Sequence, residues 1–138
     1  MTQHIRVRQA MSHDSFRLLA SSSVEEAVTG LLQHKLPGAP VVDERGTLVG
    51  FVSEHDLLRQ LLDSSYHSSS KSTVHEVMRT DVLSVDPDDS IIELAQTMSQ
   101  PDKPKVYPVV ENGKLVGSIT RGLLLKALIS NRSEAARV

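Results

Sequence analysis

The chain has no cysteine and no tryptophan in its 138 residues. Without thiols it forms no disulfide, no thiolate metal site and no cysteine nucleophile. Its aromatic residues are Phe16, Phe51, Tyr66 and Tyr107 alone, too few for the stacking platform that holds single-stranded nucleic acid. Neither sign of charge dominates, since 15 Lys and Arg stand against 17 Asp and Glu for a net charge of −2. A nucleic-acid partner is therefore disfavoured, because such binders carry a basic face. Long apolar runs are also missing. The stretch Leu123–Ile129 is interrupted by Lys126 and falls far short of the roughly 20 apolar residues that span a bilayer. The start, Met1-Thr2-Gln3-His4-Ile5-Arg6, shows no apolar signal region. These absences predict a soluble, cytoplasmic chain with no membrane partner.

What the chain does have is repetition. Val7, Met11, Leu48-Val49-Gly50, Val52, Leu57-Leu58 and Leu61 recur 67 positions later as Val74, Met78, Leu115-Val116-Gly117, Ile119, Leu124-Leu125 and Leu128. Conservative exchanges at Val24/Ile91, Leu31/Met98, Ser53/Thr120 and Leu62/Ile129 keep the same character. Such self-similarity signals a duplicated unit whose copies bury their apolar faces together. A chain of this length suits one compact domain, so the two copies are expected to share a core.

Each copy reads in the same order. A leader ending in Met11 or Met78 precedes a brief apolar run, Phe16–Leu19 or Val82–Val85. Ser23 with Glu26, and Ser90 with Glu93, have capping-box spacing at the start of a helix. Val24, Ala27, Val28, Leu31 and Leu32 follow at helical spacing, matched by Ile91, Leu94, Ala95 and Met98. The acidic run Asp86-Pro87-Asp88-Asp89 charges the second of these helix starts. The runs Ala39-Pro40-Val41-Val42 and Tyr107-Pro108-Val109-Val110 then open hairpins. Their turns are Asp43-Glu44-Arg45-Gly46 and Glu111-Asn112-Gly113, the latter the stronger signal. Return strands, Leu48–Ser53 and Leu115–Thr120, lead into leucine-rich closing helices. The pattern predicts an α/β fold of two β-α-β-β-α repeats, over 5–63 and 73–130. A serine-rich linker at 64–72 joins them and a short tail, 131–138, follows.

In this order and spacing the chain resembles a tandem pair of cystathionine-β-synthase (CBS) domains. The resemblance is carried by Met11/Met78, Pro40-Val41-Val42/Pro108-Val109-Val110, and Leu48-Val49-Gly50-Phe51-Val52-Ser53-Glu54-His55-Asp56-Leu57-Leu58, echoed by Leu115–Leu125. It covers about residues 5–130. It implies two repeats related by a pseudo-twofold axis with clefts between them, a homodimer, and a stand-alone regulatory module rather than an enzyme. The implied ligand is adenosyl: AMP, ADP, ATP or S-adenosylmethionine, with no catalytic cofactor. The implied output passes to a regulated partner protein.

The chemistry of the residues fits that ligand. Ser53 and Asp56 are three apart at a helix start, so hydroxyl and carboxylate share one side of the first turn. A carboxylate accepts two hydrogen bonds at once, as a ribose diol requires. Free helix-start amides suit phosphate. His55, beside Asp56, is a candidate to touch phosphate and make affinity pH-dependent. Asp56 also has a structural reading, as a charge that complements the helix dipole.

Carried over from the resemblance, the adenine pocket is Val82, Leu83, Ser84, Val106, Tyr107 and Pro108, with Lys103 and Lys105 near the phosphates. The second copy departs from the pattern. Its run is Thr120-Arg121-Gly122-Leu123, and a leucine accepts no hydrogen bond from a ribose. Thr120 and Arg121 therefore mark an impaired second cleft. The alternative function is a nucleotide-independent dimerisation or interaction scaffold.

Other chemistries are disfavoured. His4, His13, His34, His55, His67 and His75 show no metal-ligand spacing. Ser53-Glu54-His55-Asp56 holds the residue types of a hydrolytic triad, but contiguous residues cannot align nucleophile, base and orienter. No G-x-S-x-G elbow or glycine-rich phosphate loop is present. Tyr66 and His67 read as ordinary linker residues, with docking of Tyr66 on a cleft or dimer partner as the alternative.

Overall fold

A computed structural model of the chain describes residues 5–13, 15–63 and 72–136. His4, Tyr66, His67 and all but Ser72 of the serine-rich linker lie outside them. The elements in order are α1 (Val7–Ala10), β1 (Leu18–Leu19), α2 (Val24–His34), β2 (Gly38–Val42), β3 (Leu48–Ser53), α3 (Glu54–Leu62), α4 (Val74–Val77), α5 (Ile91–Met98), β4 (Val106–Glu111), β5 (Lys114–Thr120) and α6 (Arg121–Ala136). The α/β class is as the sequence predicts. The leader of each copy forms a single helical turn, and the last helix runs on past residue 130. Among the described residues no helix is long and apolar enough to cross a membrane.

Local chemistry explains the boundaries. The Ser23 hydroxyl accepts from the Glu26 amide at 3.0 Å, and the Glu26 carboxylate accepts from the Ser23 amide at 2.8 Å. Both halves of the capping box are thus made. The helix stops at Lys35, whose φ of 55° is left-handed. At α5 the Ser90 hydroxyl takes the Ile92 and Glu93 amides, and Arg8 pairs with Asp88 of the acidic run at 3.2 Å. The β4–β5 turn has φ of 55° at Asn112 and 79° at Gly113, the two positive values of a tight hairpin turn.

One sheet has the order β1-β2-β3 and the other is the β4–β5 pair. Pro40 sits inside the central strand, where a missing N–H usually breaks pairing. It is tolerated because β1 pairs only Val41 and Val42, so no partner faces Pro40 on that side. In the second copy the first strand shrinks to one parallel bridge, Val85 with Val109.

The described residues form two compact units, and the leaders are exchanged between them. Those within 16–82 and 113–115 make one unit; those within 1–15, 83–112 and 116–138 make the other. Main-chain bonds show how each leader is held. Val74 N and His75 N donate to Ser22 O and Ala20 O, at 2.8 and 3.0 Å. Val7 N and Arg8 N donate to Asp89 O and Pro87 O, at 2.9 and 2.8 Å. Further along, Arg79 bridges to Phe51 and Ser12 bridges to Ser118.

Buried residues follow the same division and form two clusters, where the length alone predicted one shared core. Val74 lies with Leu18, Val24, Leu31, Val41, Val52 and Leu57. Val7 and Met11 lie with Ile91, Met98, Val109, Ile119 and Leu124. Neither cluster is complete without the leader of the other copy.

Two glycines permit this close docking. A Cβ on Gly50 would sit 2.5 Å from Met78 Sδ and 2.8 Å from Arg79 O, and one on Gly117 would run into Ser12 O. They occupy corresponding places in the two repeats.

Candidate functional site

The strand β3 ends at Ser53 and the chain turns directly into α3. Ser53 holds extended geometry, with φ of −107° and ψ of 163°, and its hydroxyl accepts from the Asp56 amide at 3.1 Å. Asp56 answers. Its Oδ2 accepts from the Ser53 amide at 3.1 Å and from the Ser53 hydroxyl at 2.8 Å. Hydroxyl and carboxylate therefore share one side of the first turn, as their spacing predicts. The carboxylate is also a capping group, so the structural reading and the binding reading of Asp56 are not exclusive.

A third residue joins them. Arg79 Nε and Nη2 each donate to Asp56 Oδ1 at 3.3 Å. The Asp56 side chain is 10% exposed and that of Arg79 is 59% exposed. Sequence reasoning passed over Arg79, because a lone arginine after a leader reads as solvated surface. The duplication held the signal: Arg79 follows Met78 as Ser12 follows Met11, so the leader exchange lays Arg79 along β3. His55 and Glu54 are exposed on the same turn.

The remaining candidates are placed as follows. Val82 is half-buried, while Leu83 and Ser84 are exposed. On β4, Val106, Tyr107 and Pro108 are buried. The Tyr107 hydroxyl is buried without a hydrogen-bond partner. Burial pushes its pKa up, and the charge of Asp102 adds to the effect. Lys105 is exposed and Lys103 half-buried.

At the start of α6, the Thr120 hydroxyl accepts from the Leu123 amide at 3.2 Å, so it caps its own helix. Arg121 Nε donates to Met98 O at the end of α5, at 3.0 Å. One edge of that guanidinium is thereby committed to a helix carbonyl, a role the sequence did not suggest.

The CBS domain family matches the chain twice, over residues 7–63 and 74–130. The chain belongs to the CBS-domain family. A relative in Methanocaldococcus jannaschii, the uncharacterized protein MJ1225, is 29% identical over 91% of this chain and 43% of its own length. The chain thus spans less than half of that relative. The CBS domain-containing protein YhcV of Bacillus subtilis is 28% identical over 92% of this chain and 88% of its own. Among solved structures, CBSX2 of Arabidopsis thaliana in complex with AMP superposes with a TM-score of 0.80. It is 29% identical and covers 92% of this chain and 98% of the CBSX2 chain. CBSX2 shares the α/β fold described above.

Proposed function

We propose that the chain is a regulatory module that binds an adenosyl ligand, AMP, ADP, ATP or S-adenosylmethionine, and signals its occupancy to a partner protein. In this reading Asp56 and Ser53 take the ribose diol, amides of the first turn of α3 and the Lys105 ammonium take the phosphates, and His55 lies beside them. Val82, Leu83, Ser84, Val106, Tyr107 and Pro108 take the base. The observation that carries the reading is the pairing of a mostly buried carboxylate with the start of α3, in a fold whose relative CBSX2 binds AMP. The module does no chemistry of its own; its output is a shift between two states with different ligand affinity.

A homodimer belongs to the same proposal. Leu58, Leu62, Leu125 and Ile129 of α3 and α6 are 58–82% exposed. Apolar side chains grouped on two helices mark an interaction surface rather than a solvated one. That observation equally favours the second reading, a scaffold that pairs without nucleotide.

Calorimetric titration of the purified protein with the four ligands separates the two. An adenosyl ligand should bind in the wild type, and Asp56→Ala should weaken it about a hundredfold or more, because hydrogen bonds to a charged group are worth about 1.5–3 kcal/mol each. Equal affinity in Asp56→Ala removes Asp56 from the site. No heat with any ligand, in a protein that still elutes as a dimer, leaves the scaffold.

A further inference from the structure

The carboxylate of Asp56 has no acceptor capacity left. A carboxylate offers about four lone-pair sites, and four donors fill them: Ser53 N and Oγ on Oδ2, and Arg79 Nε and Nη2 on Oδ1. The Ser53 hydroxyl has committed its proton to Asp56 and one of its two lone pairs to the Asp56 amide, so it retains a single acceptor site. A diol cannot donate to this carboxylate unless one of these donors leaves.

The two sides of the carboxylate are not equally held. The bonds from Ser53 are 2.8 and 3.1 Å long and close the cap of α3, so breaking them frays the helix. The bonds from Arg79 are both 3.3 Å, beyond the usual N–H···O range of 2.7–3.2 Å. They come from a side chain that is 59% exposed to water. The pair is open to water on its guanidinium side, the Asp56 side chain being 10% exposed; a fully exposed pair holds by a factor of about five or less in an equilibrium constant. Arg79 is the donor that yields.

We infer that Arg79 is a latch on the ligand site: it competes with the ligand diol for the Asp56 carboxylate and is exchanged for that diol on binding. The inference rests on the site reading proposed above. The second repeat supplies an internal control. There Ser12 makes the same main-chain bridge, to Ser118, with no guanidinium, and the residue at the place of Asp56 is Leu123. The frame therefore does not need the arginine; only the carboxylate uses it. A ligand bearing a phosphate gives the released guanidinium a new partner, whereas a bare nucleoside leaves it in water.

The test uses adenosine, which carries the diol and no charge, and 2′,3′-dideoxyadenosine, which lacks the diol. Both are titrated into the full chain as wild type, Arg79→Ala and Arg79→Met, the last retaining an apolar stem over β3. Removing the latch should tighten adenosine binding about two- to fivefold and leave dideoxyadenosine unchanged. Adenosine binding that is unchanged or weaker in both variants overturns the latch and leaves the site standing. An equal gain for dideoxyadenosine also overturns it, since the gain would then not pass through the diol. If neither adenosine nor AMP binds any of the three proteins, the site reading falls and the latch falls with it.

Discussion

At the start of α3 a serine caps the helix, an aspartate returns the bond, and an arginine from the exchanged leader closes on the carboxylate. At the start of α6 a threonine caps the helix in the same way, and the exchanged leader bridges the preceding strand in the same way. Yet Leu123 and Ser12 stand where Asp56 and Arg79 stand in the other copy. Leu123 packs against the buried cluster of its own unit. The main-chain frame is shared while the charged pair is confined to one side. Carboxylate and guanidinium are therefore not demands of the fold, which forms without either of them at α6. Groups that the fold does not require are those free to carry function.

Grafting the pair is the sharpest way to break this contrast. Leu123→Asp alone should destabilise the protein by about 1–3 kcal/mol, through loss of a half-buried apolar side chain. Adding Ser12→Arg should return part of that loss, with a coupling of about 0.5–1 kcal/mol in a double-mutant cycle. Titration of the double variant with the adenosyl ligand should then show two sites per chain in place of one. A double variant with no coupling and a single site would mean that the two helix starts are alike in main chain only.

The docking of the leaders gives a smaller contrast. Gly50 faces Met78 Sδ, which can move, as well as Arg79 O. Gly117 faces Ser12 O, a main-chain atom fixed by its own bridge. Overpacking in such a place costs about 1–3 kcal/mol. Gly117→Ala should fall at the upper end and Gly50→Ala at the lower, read as a difference in thermal midpoint. Equal losses would show that both leaders relax alike and that the methionine offers no extra give.

The duplication explains how much of this was legible in the chain. Periodicity and capping signals placed α2, α3, α5 and the two hairpins, because each depends on residues within about ten positions. The spacing of Ser53 and Asp56 put both on one turn for the same reason. The leader exchange was not legible, since it joins segments far apart in sequence through main-chain bonds, and Gly50 and Gly117, which leave room for it, carry no pattern that names their partner segments. Arg79 was missed as a consequence: its role exists only after a segment of the second copy is laid beside β3. The bond from Arg121 was not legible for the same reason, because its carbonyl partner belongs to α5, 23 residues earlier. The weak first strand of the second copy failed for a local reason. Pro87 follows Val85 closely, and a proline so near offers no further amide to extend the pairing.

The two hairpin turns supply the finest contrast, and it is one of charge. The β4–β5 turn is closed by Asn112 and Gly113, both uncharged and at positive φ. The β2–β3 turn relies on Asp43, whose Oδ1 accepts from the Arg45 and Thr47 amides at 2.9 and 3.0 Å. The bond from Thr47 is the largest cause that holds this carboxyl below its ordinary pKa, with the Arg45 amide and the charge of Lys114 adding to it. A carboxyl depressed in the folded state stabilises it above the unfolded pKa, near 3.9, and loses that contribution as pH falls through the folded value. Asp43→Asn keeps an acceptor oxygen but not the charge, so it should lower the thermal midpoint slightly at pH 7. Below about pH 4 the wild type should descend toward the variant and the gap should close. Asn112→Ala, by contrast, strains a left-handed position and should cost the same at both pH values. A gap for Asp43→Asn that stays constant with pH would show that the turn needs only an acceptor oxygen there, and the difference between the two hairpins would then be one of geometry alone.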